Sequence, residues 1–353
     1  MTQPDPQPAN VDATGVRVAV DAMGGDHGPS EVVLGALDHA RAHPEDRVIL
    51  VGDEAAILAI VQAPLPNVSI IAASQVIGMD EHPALALREK KDSSIMVAVD
   101  LVKRGDADAM VTAGHTGAGM AAAVLRLGRL PGVDRPALAV QMITAKGPMV
   151  LLDIGANPDS TPENLVQYAR MGAIFAERVL GVAEPRVALL SIGEEKGKGD
   201  ARIQRATELL DASDLHFSGN VEGKDLTTHM ADVVVCDAVL GNVVIKFFEG
   251  LSTFIFDLWQ AEFQRSLRGR LAYLLMRPGV GRIRETFDYE RVGGSPLLGV
   301  NGSVIITHGR AKRRMIAFAV EVAATTARTR VPALIAESLR AGPEPATETS
   351  VPV

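Results

Sequence analysis

A chain of 353 residues is more than twice the ~150 of a typical domain, and with 47% hydrophobic and 22% charged residues it has the composition of a folded protein with one large core. Thirty-five Lys and Arg against 43 Asp and Glu leave a formal charge of −8, which argues against broad nucleic-acid binding through phosphate neutralisation. The single cysteine, Cys236, excludes an intramolecular disulfide and a cysteine-based zinc site; with no signal-like N-terminus and no run of ~18 uninterrupted apolar residues, the expected location is the reducing cytosol.

Two Pro- and Thr-rich stretches, 1–15 and 341–353, read as frayed tails, so one catalytic body is expected over 16–340, with a helical tip at about 245–290. Within it, short β-branched runs at 16–20, 47–51, 68–72, 107–112, 149–154, 186–192, 232–236 and 303–307 read as strands. Each is followed by a polar turn and a helical pattern. That alternation predicts an α/β protein in which a mostly parallel sheet is covered by helices on both faces.

In such sheets ligands bind beyond the carboxyl ends of the strands, and here those turns are loaded. They read DAMGGDHGP (21–29), AGHTGAG (113–119), DIGANPDSTPEN (153–164), SIGEEKGKGD (191–200), SGNVEGKD (218–225), DAVLGN (237–242) and THGR (307–310). The expectation is that all seven share one edge of one sheet and build one composite site. Glycines ahead of a helix start leave backbone N–H groups open to an anion, phosphate being the simplest. ATP and NAD are disfavoured: Gly193 and the Gly197-Lys198 pair are separated by three residues where a P-loop needs four, and no G-x-G-x-x-G follows the first strand. No acyl-serine motif is present, and Cys236 at the end of an apolar strand reads as a buried small hydrophobe.

Arg88, Lys90 and Lys91, just before a helix near Ser93, form either a solvated patch or a cationic clamp for an anionic substrate or carrier. His39 and His43 stand at i, i+4, but Pro44 follows and no third ligand is near in sequence, so they read as a solvated last turn rather than a metal pair. Of thirteen aromatic residues, six lie between Phe247 and Phe263, in a long apolar helix that reads first as a core or dimer helix. After it, Leu267, Leu271, Leu274 and Leu275 form one stripe, widened by Tyr273 and Met276, with Pro278-Gly279 expected to stop the helix. Arginines 265, 268, 270, 277, 282 and 284 face a single acid, Glu262. A stripe flanked by arginine suits a helix lying in the interface of an anionic membrane, with Leu271, Leu274, Leu275, Arg268 and Arg277 as its contacts; a partner-docking tip is the alternative.

The motifs VAVDAMGGDHGP, VIGMDEHPALALREKKDSS, TAGHTGAGMA, GVDRPALA, LLDIGAN, TPENLVQYARMG, IGEE, GNVEG, DVVVCDAVLGN and GGSPLLGVNG, in order over about 17–335, resemble the bacterial phosphate acyltransferases of phospholipid synthesis, the PlsX family. The resemblance implies a three-layer α/β/α fold of the isocitrate and isopropylmalate dehydrogenase type, shared with phosphotransacetylases, and a homodimer. It implies acyl transfer from acyl-[acyl carrier protein] to inorganic phosphate, giving acyl phosphate for a membrane acyltransferase, with peripheral membrane association and without cofactor or metal. On this reading Lys198 serves phosphate and transition-state charge, Asn242 the oxyanion or phosphate, and His27 proton transfer or orientation, with a structural turn histidine beside Asp26 as its alternative; Asp237 orients Lys198 or His27, or else is a helix N-cap. Asp21, Gly24, Gly25, Asp26, His115, Thr116, Gly117, Asn157 and Asn220, with Arg88, Lys90 and Lys91, are the substrate-binding candidates. The chain departs from the family pattern at His115, where the family has Asn, and at His308-Gly309-Arg310-Ala311, where it has H-G-S-S. A phosphotransacetylase using acyl-CoA and a non-catalytic carrier-protein or membrane scaffold are the alternatives.

Overall fold

The computed structural model describes residues 15–144, 146–286 and 289–340, without side chains at 280–289 and 291. The expected tails, Gly15 excepted, and the side chains of Arg282 and Arg284 lie outside that description. In chain order the strands are β1 Arg17–Asp21, β2 Arg47–Gly52, β3 Val68–Ala72, β4 Ala109–Thr112, β5 Ala137–Thr144, β6 Gly147–Leu152, β7 Val187–Leu190, β8 Phe217–Val221, β9 Val233–Val235, β10 Ser295–Leu298 and β11 Ser303–Ile306. The helices are α1 Ser30–Ala42, α2 Glu54–Ile60, α3 Pro83–Glu89, α4 Ser94–Arg104, α5 Thr116–Arg126, α6 Pro162–Val179, α7 Ala201–Asp211, α8 Ala238–Gln264, α9 Leu267–Thr286, α10 Arg313–Arg328 and α11 Val331–Arg340.

Each of the eight expected strands forms. β5, β8 and β10 were not expected: β10 carries Pro296, and β8 is the edge strand FSGNV, with Gly219 at φ +94°. The described strands make one sheet, ordered β3-β2-β1-β4-β11-β10-β5-β6-β9-β7-β8. β1, β2, β3, β4 and β11 form one parallel block, and β6, β9, β7 and β8 a second. Three antiparallel pairings, β11 with β10, β10 with β5 and β5 with β6, join them. An odd number of reversals makes the blocks run in opposite directions. This corrects the expectation of a single loaded edge: the carboxyl ends of the first block lie at one edge of the sheet and those of the second at the opposite edge.

Successive strand residues point to opposite faces, which sorts the core into layers. On β1, Val18 and Val20 pack with Val33, Leu37, Ile316 and Val320 of α1 and α10, while Ala19 joins Ile95 and Val99 of α4. In the second block Val150, Leu152, Val233 and Val235 meet Leu165, Tyr168 and Phe175 of α6, and Leu151, Leu190 and Val234 face the layer of α4, α5 and the start of α8. Burial pushes the Tyr168 hydroxyl up to about 12.

α8 and α9 pack on each other and project as an arm. In this chain α8 buries only Ala238 and Gly241 among its described residues and exposes Val243, Phe247, Phe254, Leu258 and Trp259, so it is not a core helix. By length and composition it is long and apolar enough to cross a membrane. Leu267, Leu271, Tyr273, Leu274, Leu275 and Met276 of α9 are exposed too. α9 does not stop at Pro278 but runs through it. On an exposed helix the carbonyl that loses its intrahelical N–H can turn to water, which eases the break.

Candidate active site

The second edge is organised by Asp153, fully buried at the end of β6. Its Oδ1 accepts from the backbone N–H groups of Leu138, Gly155 and Ala156 at 3.1, 3.0 and 2.9 Å. Its Oδ2 accepts from the N–H and side-chain amide of Asn157 at 2.8 and 3.0 Å. Burial pushes the carboxyl above its usual range against the pull of these donors. Three helices start at this edge, each with a side-chain cap: Thr161 for α6, Asp200 for α7 and Asp237 for α8. Arg202 joins the three starts, reaching the Ser160 carbonyl and Asp200 at 3.5 Å and Asp237 at 2.8 Å, so their partially positive N-termini lie close together. Gly241 seats α8 here, since a Cβ would lie 2.0 Å from the Asp153 carbonyl oxygen.

Asp237 is held by what surrounds it. Its Oδ1 accepts from the N–H groups of Val239 and Leu240 at 2.9 and 3.0 Å, and its Oδ2 from Arg202 at 2.8 Å. The Arg202 Nε is buried without a hydrogen-bond partner. Asp237 is thus the helix N-cap that its position allowed and it orients Arg202; it does not orient Lys198 or His27, which corrects that part of the expectation. Arg202 was missed, although a cation in the first turn of a helix opposes the macrodipole and could have marked it. Lys198 is exposed, its stem lying over Gly193, where a Cβ would meet Lys198 Cγ at 2.7 Å; the neighbouring Lys196 is paired with Asp211. Asn242, at the fifth position of α8, is exposed. Asn220 is buried, accepts from Thr207 Oγ1 at 3.3 Å and donates to the Glu195 carbonyl at 3.3 Å, so it braces the 193–199 turn. Asn157 likewise donates to the Pro136 carbonyl and to Asp153. Both asparagines hold turns together rather than face solvent.

The first edge gathers the turns after β1, β4 and β11. Buried Asp21 accepts from Thr112 Oγ1 at 2.7 Å, and the same oxygen of Thr112 accepts from the Gly114 N–H at 3.0 Å. Burial pushes Asp21 above its usual range, opposed by hydrogen bonds from Ser94, Thr112 and the backbone at 23 and 24. Gly24 and Gly25 allow the turns to close: a Cβ on Gly24 would lie 2.6 Å from the Gly114 nitrogen, and Gly25 sits at φ +86° against the Gly309 carbonyl. Asp26 donates its N–H to that carbonyl at 2.7 Å. His27, Thr116 and His308 are exposed; His115 caps α5, Nδ1 accepting from Ala118 at 3.4 Å, and Gly117 packs at Pro83. β1 and β7 are seven strands apart, on the order of 30 Å along a flat sheet at ~4.8 Å per strand, and among the described residues no hydrogen bond or ion pair joins His27 to Lys198.

The basic segment divides. Lys90 is bound to Glu81 at 2.6 Å and to the Val76 carbonyl at 2.8 Å, and it holds the loop before α3. Arg88 and Lys91 instead rim a cleft of about 350 Å³, lined by Ala84, Leu87, Met96, Leu125 and Arg126. Cys236 is buried and its thiol is pushed well up by burial, which disfavours the thiolate that a nucleophile needs.

The family described as "Fatty acid synthesis protein" matches residues 16–334. The chain is 48% identical over 312 residues to the phosphate acyltransferase of Heliobacterium modesticaldum, covering 87% of this chain and 93% of that one. It is 43% identical over 327 residues to the phosphate acyltransferase of Brevibacillus brevis, covering 92% and 98%. Among solved structures, the EutD phosphotransacetylase from Staphylococcus aureus superposes with a TM-score of 0.58 at 16% identity, covering 90% of this chain and 96% of that one. The 4-hydroxythreonine-4-phosphate dehydrogenase from Klebsiella pneumoniae superposes with a TM-score of 0.52 at 13% identity, covering 89% and 99%. These structural likenesses establish the isocitrate dehydrogenase-like α/β fold.

Proposed function

The chain belongs to the phosphate acyltransferase family and is a phosphate acyltransferase of fatty acid and phospholipid synthesis; from that premise we propose that it moves a fatty acyl group from acyl-[acyl carrier protein] to inorganic phosphate at the second edge of its sheet. The observation that carries the placement is the presence, at one edge, of exposed Lys198, the Asp237-paired Arg202 and the N-termini of α6, α7 and α8. Such an edge favours a phosphate dianion.

A phosphate oxygen attacks the thioester carbonyl carbon, the tetrahedral oxyanion collapses, and the C–S bond breaks. The proton of hydrogen phosphate ends on the leaving sulfur, so the balance requires no enzymic acid and positioning supplies most of the rate. Lys198 neutralises the phosphate, Asn242 donates to the oxyanion, and Asp237 acts through Arg202. The first-edge residues Asp21, Gly24, Gly25, Asp26, His27, His115, Thr116 and Gly117 contribute when a second copy brings its first edge to this second edge. The exposed apolar residues of α8 favour that homodimer.

The rim of Arg88, Lys91 and Arg126 around an apolar cleft suits an acidic carrier protein, and the arm suits an anionic membrane surface where a membrane acyltransferase receives the acyl phosphate. We place the enzyme in the cytoplasm, peripherally associated with the membrane. The test compares carrier-protein and CoA thioesters of equal acyl length. At least ~10-fold higher kcat/KM for the carrier protein is expected, about 1.4 kcal/mol. A preference for CoA would make the enzyme phosphotransacetylase-like. Binding of carrier protein without phosphate-dependent turnover would make it a scaffold.

A further inference from the structure

The last turn of α1 and the middle of α10 meet in a cluster at the amino ends of β1 and β2, which shares no residue with the candidate active site. His39 is buried and His43 half-buried, one helical turn apart, with rings stacked at a centroid distance of 4.6 Å. Between them, from a point 278 residues further along the chain, comes Glu321. Its Oε2 lies 3.3 Å from His39 Nδ1 and 2.9 Å from His43 Nε2. That oxygen is buried, yet it has hydrogen-bond geometry to neither ring; the other carboxylate oxygen accepts from Thr325 Oγ1 at 3.3 Å.

The outer ring nitrogens decide what the inner ones can be. His39 Nε2 faces Asp46 Oδ2 at 3.2 Å, and Asp46 is itself buried, with Oδ1 accepting from the Val16 N–H at 3.0 Å and from Arg328 at 2.6 Å. His43 Nδ1 faces Glu45 Oε1 at 3.3 Å. A neutral imidazole has one N–H. If each ring donates it outward to its own carboxylate, both inner nitrogens turn lone pairs toward a carboxylate oxygen, which calls for a cation between them; against its burial, the hydrogen bonds to Asp46 and Glu321 raise His39, so a proton on that ring is the occupant a metal ion must displace. Outer carboxylates that fix the tautomer of a ligating histidine are the usual second layer of a metal site. The three inner donor atoms lie within 4.8 Å of one another. A tetrahedral ion with ligand bonds near 2.0–2.1 Å needs donors about 3.3 Å apart, which the two distances to Glu321 approach; the stacked rings do not aim both lone pairs at one point, so binding requires the half-buried His43 to turn out of the stack.

We propose that His39 Nδ1, His43 Nε2 and Glu321 Oε2 form a site for one zinc-class divalent transition-metal ion that ties α1 to α10, with water as fourth ligand. Imidazole and carboxylate together select such an ion over magnesium or calcium. His43 and Glu321 are about one-third exposed, which leaves an entry path. The site is structural: it stands at the amino ends of β1 and β2 and shares no residue with the candidate active site.

The probe is zinc itself, added to chelator-treated full-length protein and measured by equilibrium dialysis with elemental analysis, alongside cobalt substitution read by visible absorption. One zinc per chain is expected, with cobalt bands of four-coordinate intensity and a zinc-dependent rise in Tm. His43→Ala and Glu321→Gln should each weaken zinc binding by roughly 100-fold and remove that rise. Equal zinc uptake by wild type and both variants would place the ion elsewhere and overturn the proposal. No retained zinc at ~10 μM would overturn it too, leaving the cluster held by protons. Should His43→Ala fail to fold by circular dichroism, Glu321→Gln, which keeps shape and volume, decides.

Discussion

The two edges of the sheet use the same device for different ends. Each is held by a buried carboxylate at a strand end, Asp21 at the first and Asp153 at the second, and each carboxyl is pushed up by burial. Around Asp153 five N–H groups converge, whereas Asp21 keeps one oxygen, Oδ1, without a hydrogen bond. Beyond these anchors the chemistry diverges. The second edge presents Lys198 and Arg202 at helix starts, and the first presents the imidazoles of His27, His115 and His308. A loaded glycine turn thus marks where a ligand could sit, while the charge placed on it decides which ligand. The largest expected effect follows directly: Lys198→Ala and Asn242→Ala should each lower kcat/KM by ~100-fold or more, about 2.7 kcal/mol, with circular dichroism unchanged. Wild-type rates in either folded variant would remove that residue from the mechanism and erase the distinction between the edges.

A second experiment asks whether the edges cooperate across two copies. If His27 and Lys198 serve one site from different protomers, and His27→Ala and Lys198→Ala are each inactive alone, refolding a mixture of the two should restore about one quarter of wild-type activity by random assortment in a two-fold dimer. Additive, unrestored activity would confine each edge to its own chain. The arm offers an external control on both edges: Leu274→Glu with Leu275→Glu should abolish sedimentation with anionic liposomes and leave activity on soluble substrate intact. A double variant that still sediments, or that loses its dimer, would show that the stripe serves packing instead.

The eight strands that bring the turns to the edges were legible because β-branched runs bounded by glycine turns are local signals. Direction was not legible. β5 and β10 supply the reversals, and β10, four residues with Pro296, resembles a loop until its partners are known. Roles followed the same divide. Lys198 and Asn242 stand exposed as their turns suggested, but Asn157 and Asn220 are bound inward, Lys90 is spent on Glu81, and Asp237 finds Arg202, a partner 35 residues away that no spacing rule links to it. The His39 and His43 pair is the sharpest case. Its third member comes from a helix 278 residues later, and local reading could only leave it as a solvated turn.

Smaller effects refine the comparison. Asp21 holds its proton more tightly folded than unfolded, so its contribution to stability is fully present below the unfolded value and is lost as pH rises through the folded one. Asp21→Asn should therefore gain on wild type as pH rises above the ordinary carboxylate range, read as a widening Tm difference. A constant difference over that rise would mean the carboxyl titrates as an ordinary exposed acid. Least of all, Arg88→Ala with Lys91→Ala should raise KM for carrier-protein thioester about 3- to 10-fold, in a salt-dependent way, without moving KM for a short thioester. Lys90→Ala should instead lower Tm through Glu81. An unchanged, salt-insensitive KM in the double variant would leave Arg88 and Lys91 as a solvated face.

The most direct measurement of the central claim is free-thiol release from acyl-[acyl carrier protein] at rising inorganic phosphate, run side by side for wild type and Lys198→Ala. Release that saturates with phosphate in wild type, yields acyl phosphate in equal amount, and stays near the uncatalysed rate in the variant is the predicted result. Thiol release that ignores phosphate, or that proceeds equally in both proteins, would contradict the placement of phosphate acyl transfer at the second edge.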